Sequence, residues 1–106
     1  LLAHEKAKQA ARNFRNQLEE KAVHNLISLT TDLKKAAALF KAKKSDPADS
    51  LVSVALNHCI NLQLIEEWTI NLLGYRYMTA GELNMAISIL RFNSSKYSES
   101  ILHSFL

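Results

Sequence analysis

Residues 46–73 read DPADSLVSVALNHCINLQLIEEWTINLL, and the run from Ser50 to Ile65 holds no Asp, Glu, Lys or Arg. Its opening is a helix start: Asp46 suits the N-cap, Pro47 the first helical position and Asp49 the first turn. An N-cap oxygen takes an otherwise unpaired amide, Pro has no amide to lose there, and a carboxylate suits the positive end of the dipole. Gly74, just past Leu73, is the residue type that closes helices. The stretch predicts one central helix over residues 47–73, roughly 40 Å long at 1.5 Å per residue. Apolar residues cover most of its circumference, so it should be buried, with Leu51, Ala55, Leu62, Ile65 and Trp68 as the core seam. The uncharged strip left over, Ser53, Asn57 and Asn61 with Ser50, reads as a second contact face, because interface cores are depleted of charge. The alternation in Ile60-Asn61-Leu62-Gln63-Leu64 also suits a strand, but its flanks are helical and the chain offers no partner strand.

Composition points the same way. The 106 residues suit one domain, and two glycines and one proline are too few for the turns of a β-rich fold. The expected class is all-α, a bundle of three to four helices with a long N-terminal helix. The chain begins Leu1-Leu2 without Met and ends Phe105-Leu106, as a fragment of a larger protein would. One cysteine, Cys59, excludes an internal disulfide framework and fits a reducing compartment, cytoplasm or nucleus. No run of 18 apolar residues predicts a membrane span, and no signal-peptide pattern is present.

N-terminal to the central stretch, apolar residues recur at Ala3, Ala7, Ala10, Phe14, Leu18, Ala22, Leu26, Leu29, Leu33, Ala36 and Phe40. Steps of three or four define one helical stripe, and a mean near ~3.7 favours a nearly straight helix over a seven-residue coiled coil. As one helix, residues 3–44 would reach roughly 60 Å, against a diameter of roughly 33 Å for a compact domain of this size. Either the helix breaks at Thr30-Thr31-Asp32, where capping-type residues cluster, or its N-terminal part projects. That part carries mostly alanine on its stripe, and small side chains bury little area at ~25 cal/mol per Å². Lys41-Ala42-Lys43-Lys44 closes the helix, where cations complement the dipole. A short connection to residue 47 then makes the next helix antiparallel.

C-terminal to the central stretch, Tyr75-Arg76-Tyr77 reads as a loop. Thr79-Ala80-Gly81-Glu82 has the form of a capping box, with Met78 and Leu83 as its staple, opening a helix over about 80–92. Ser94 or Ser95 would cap a last helix, 96–106, with Tyr97, Ile101 and Phe105 at four-residue spacing. This pair resembles a helix-turn-helix in outline, but the second helix has no Arg and its half of the chain is acidic, which repels phosphates.

Charge is uneven: residues 1–44 carry ten Lys/Arg against four acids, a net +6, and residues 45–106 three against six, a net −3. Catalysis finds little support. His4, His24, His58 and His103 are scattered, and adjacent His58 and Cys59 point about 100° apart on a helix, so they cannot chelate together. No glycine-rich phosphate loop occurs, and neither a metal nor a cofactor is expected. The leading functional reading is a non-enzymatic protein-interaction or oligomerisation module, of the scaffold, adaptor or regulatory kind. Its partner, another copy or another protein, would complete the arm at Ala7, Ala10, Phe14 and Leu18 and meet the strip Ser53, Asn57 and Asn61. The alternative is nucleic-acid binding, with Lys8, Arg12 and Arg15 on one face and Lys34, Lys41 and Lys44 on another contacting phosphates. Membrane-surface binding fits poorly, because the apolar face of the basic helix is mainly alanine.

Overall fold

The computed structural model describes residues 2–98. Over them run four helices, α1 (Leu2–Lys41), α2 (Ser45–Asn61), α3 (Glu67–Thr79) and α4 (Leu83–Lys96), with no strand among the described residues. The fold is all-α with a long N-terminal helix. α1 does not break at Thr30–Asp32. The Thr30 and Thr31 hydroxyls donate back to the Leu26 and Ile27 carbonyls at 3.1 Å, so they are engaged inside the helix instead of capping a new one. Forty helical residues make roughly 60 Å, and α1 sets the long dimension of a molecule measuring 62 × 34 × 22 Å.

The expected helix over 47–73 is two helices, α2 and α3, separated at residues 62–66. α2 closes with Gln63 in the left-handed region at φ 60°. The Gln63 amide donates to Ile60 O at 2.9 Å and the Leu64 amide to Cys59 O at 3.0 Å, the paired bonds of a Schellman motif. α1 ends the same way at Lys43, φ 61°, and α3 at Gly81, φ 81°. The matching bonds are Lys43 to Phe40 and Lys44 to Leu39, then Gly81 to Met78 and Glu82 to Tyr77. All three connections use one device, and only the last has the glycine that favours it. α3 then starts with a capping box between Glu66 and Thr69, Thr69 Oγ1 accepting from the Glu66 amide at 3.3 Å. The turn is driven by burial. A straight helix would carry Ile70 roughly 20 Å beyond Leu56; the turn puts Ile65 and Ile70 into the same buried cluster as Leu56 and Cys59.

Other local expectations shift with that break. α2 begins at Ser45 with Lys44 at its N-cap and no side-chain cap, so Asp46 and Pro47 both lie in the first turn, whose amides need no helical partner. Gly74 is not a terminus but sits buried within α3, and Tyr75-Arg76-Tyr77 is helical. Thr79 donates its hydroxyl to Tyr75 O at 3.0 Å, and Glu82 is the N-cap of α4 without a side-chain cap, so no capping box forms there. Met78 and Leu83 are exposed and make no buried staple. α4 starts at Leu83 and runs through Ser94 and Ser95 to Lys96; the rest of the expected helix 96–106, beyond residue 98, lies outside the described residues.

The helices pair as two hairpins, α1 with α2 and α3 with α4, and α4 also packs against α1 and α2. Leu33 and Ala36 of α1, Val52 and Leu56 of α2, Ile70 of α3 and Met85 and Ile89 of α4 form the buried centre. No single helix organises the core. Of the expected seam, Ala55 and Ile65 are buried and Leu51 packs at the edge. Leu62, the C-cap of α2, is 45% exposed, and Trp68 is 61% exposed because the turn resets the helical phase before it. At the α3–α4 crossing, a Cβ on Gly74 would lie 2.5 Å from Leu90 Cδ2, so alanine there would force the half-buried Leu90 side chain to shift. Beside it, Asn93 Nδ2 donates to Glu67 O at 3.1 Å and Asn71 Oδ1 at 3.0 Å, fixing the register of the pair.

Candidate interaction surface

α1 divides at Asn25. There His58 Nε2 donates to Asn25 Oδ1 at 3.0 Å, and Cys59 Sγ lies 3.9 Å from Asn25 O, tying the end of α2 to α1. C-terminal to this point α1 contributes Leu29, Leu33, Ala36 and Ala37 to the core. N-terminal to it, residues 2–24 run on as helix, all exposed except half-buried Ala22, for about 34 Å at 1.5 Å per residue. Phe14 and Leu18 are 63% and 52% exposed. By their spacing they lie on the continuation of the face that packs in the bundle, beyond the last turn of α2. The arm is helix without packing, and most of the stability of a protein helix comes from burying its apolar face.

The sequence-predicted contact residues fall on two separate surfaces. Ala7, Ala10, Phe14 and Leu18 are together on the arm and exposed. Ser53, Asn57 and Asn61 lie along one side of α2; Ser53 and Asn57 are half-buried and Asn61 exposed. Ser53 turns into a shallow groove toward Ser88, Arg91 and Phe92 of α4. The basic residues are likewise divided. Lys8, Arg12 and Arg15 are exposed on the arm, and Lys34, Lys41 and Lys44 at the far end of α1, with Arg15 and Lys34 roughly 28 Å apart along the axis. Glu19 and Glu20 lie between the groups. Lys41 Nζ reaches Glu82 Oε1 at 3.7 Å, an exposed pair of small energetic weight.

One surface was not foreseen. Trp68, Leu72 and Tyr75, spaced four and three along α3, are 61%, 45% and 55% exposed. Leu72 also borders a cleft between α1 and α3 lined by Leu26, Leu29, Thr30 and Ile65. The signal was present in Glu66 and Thr69, a capping pair that starts a helix and sets Trp68 and Leu72 on its outer side.

Among the described residues, the chemistry-bearing groups do not converge. Cys59 is 1% exposed, and burial, with the Asp32 carboxylate adding to it, pushes its thiol pKa up, which keeps it protonated and unreactive. Trp68 Nε1 donates to Glu66 Oε2 at 3.0 Å, which holds the indole at the surface. No group of three or more His, Cys, Asp or Glu able to hold a metal occurs among the described residues. Among them, too, no helix is long and apolar enough to cross a membrane. Comparison with known families, with curated proteins and with solved structures finds no match.

Proposed function

We propose that the chain is a non-enzymatic helical association module, of the scaffold or adaptor kind, whose N-terminal arm is completed by a partner helix. One observation carries this reading: Phe14 and Leu18 stand 63% and 52% exposed on a helix whose bundled half buries the same face. Fully burying a Phe or Leu is worth roughly 1.5–3 kcal/mol each, a gain that the unpacked arm leaves to a partner. The split basic residues then serve solubility and steering, with a salt-dependent effect on association rate more than on affinity.

The test is sedimentation equilibrium of the wild type and Phe14→Asp over a range of concentrations, with far-ultraviolet circular dichroism in parallel. The reading requires the wild type to associate and Phe14→Asp to shift toward monomer, while α2, α3 and α4 keep their helicity. Identical monomer masses for both chains would defeat it.

A further inference from the structure

We infer that the outer face of the α3–α4 hairpin pairs with the same face of a second copy of this chain, hairpin on hairpin, at a site separate from the arm. The contacts between the two helices define this face. Gly74 lies against Leu90, and Asn71 accepts from Asn93. The core lies to one side of that line, through Ile70 of α3 and Met85 and Ile89 of α4. At about 100° per residue, Trp68, Tyr75 and Met78 of α3 and Leu83 and Ile87 of α4 fall on the opposite side, with Leu72 at its edge. The six are 43–61% exposed. Between Glu67 and Arg91 the sequence has two charged residues, Arg76 and Glu82, and both are turned to α1. Arg76 lines the cleft with Leu26 and Leu29, and Glu82 pairs with Lys41. Past the ends of the face, Arg91 borders the groove beside α2, and the Glu66 carboxylate accepts from Trp68 Nε1.

Charge, area and shape select the occupant. An isologous contact sets each group near its own copy, so a face with several like charges repels itself; this one has none to oppose. Aromatic side chains and Met without charge are the composition of an interface core. With about 150–250 Å² for a full aromatic side chain and somewhat less for an aliphatic one, the six leave roughly 600 Å² in water. That is the upper end of the largest patch on a typical monomer, about 300–600 Å², and most of the about 800 Å² that each partner gives to a standard interface. The patch also spans two antiparallel helices. A single partner helix would fill the groove between α3 and α4 and leave the Trp68–Leu72–Tyr75 ridge in water. A second hairpin is wide enough to cover both, completing a four-helix layer.

Trp68 is the one tryptophan of the chain and lies on this face, so its fluorescence reports the contact directly. The experiment follows its emission maximum and its quenching by acrylamide from low to high micromolar protein, in the wild type, Ile87→Glu, Leu83→Glu and Phe14→Asp. Ile87 and Leu83 are surface positions, and circular dichroism checks that both variants keep their helices. The expected result is a shift of emission to shorter wavelength and a fall in quenching as wild-type concentration rises. Both changes persist in Phe14→Asp and are lost in Ile87→Glu and Leu83→Glu. Strong quenching at every concentration would mean that no second copy covers the face, and would overturn the inference while leaving the arm reading to its own test. Weak quenching at every concentration would mean that a segment of the chain itself covers Trp68, and would overturn it too. A response abolished by Phe14→Asp but kept in Ile87→Glu and Leu83→Glu would assign the association to the arm alone, sinking this inference and supporting the earlier reading.

Discussion

Gly74→Ala tests the α3–α4 crossing, on which the second hairpin depends. A Cβ at this position would lie 2.5 Å from Leu90 Cδ2 and 2.6 Å from Leu90 Cγ, with Ile89 Cγ2 next at an ordinary 3.5 Å. Leu90 must therefore move, and overpacking of this kind costs about 1–3 kcal/mol. Alanine in place of glycine within a helix returns about 1 kcal/mol. The net expectation is destabilisation by about 1 kcal/mol, lowering Tm by roughly 5 °C in a chain of this size. The sharper test is the cycle with Leu90→Ala, read from urea unfolding followed by circular dichroism. Without the Leu90 side chain, only the Ile89 contact remains, so Gly74→Ala becomes stabilising by about 1 kcal/mol. Leu90→Ala has its own cost, but that cancels in the cycle. A change of sign between the two backgrounds is the prediction. The same sign and size in both would refute the close crossing.

The other helix ends and the buried polar groups make further predictions. Gln63→Gly removes a left-handed non-glycine residue at φ 60° and should stabilise by about 1 kcal/mol, whereas Gly81→Ala, at φ 81°, should destabilise by a similar ~1 kcal/mol; thermal melts of the two separate the cases. Asn93→Ala deletes the donor to Glu67 O and Asn71 Oδ1 and should cost about 1–3 kcal/mol in urea unfolding. Asn93→Asp, which sets a carboxylate against those oxygens, should cost more at pH 7. Burial raises the pKa of Cys59, Tyr77 and Tyr97, so the native chain holds protons that the unfolded chain releases. The stabilising contribution is whole below the ordinary thiol value of 9.0 and falls as pH rises toward the raised native values. Urea midpoints between pH 8 and 11 should decline, and less so in Cys59→Ala with Tyr77→Phe.

The fold class could be read from the sequence because two signals agreed. The stripe from Ala3 to Phe40 keeps one helical face over ten steps, and the chain has almost none of the residues that turn strands. The projecting arm also followed from arithmetic, length against diameter. What could not be read was where helices stop. Gln63 and Lys43 take the left-handed conformation without being glycine, and the gain that holds them there comes from long-range burial of Ile65 and Ile70, which no local window contains. The one internal glycine misled in the opposite sense. Gly74 lies against the Leu90 side chain of a later helix, so it marks a crossing and not an end. Missing the turn at Gln63 carried the helical phase forward and assigned Trp68 to the core, when it is at the surface. The placement of Ala7, Ala10, Phe14 and Leu18 on one exposed helix does not depend on that turn, because they precede it.

Amide hydrogen exchange resolved along the chain, at two protein concentrations, tests the central claim most directly. If the arm is completed by association, amides of residues 2–24 gain protection as concentration rises, and those of α2 and α4 within the bundle core stay as they were. Arm protection that is equal at both concentrations, strong or absent, would contradict the account.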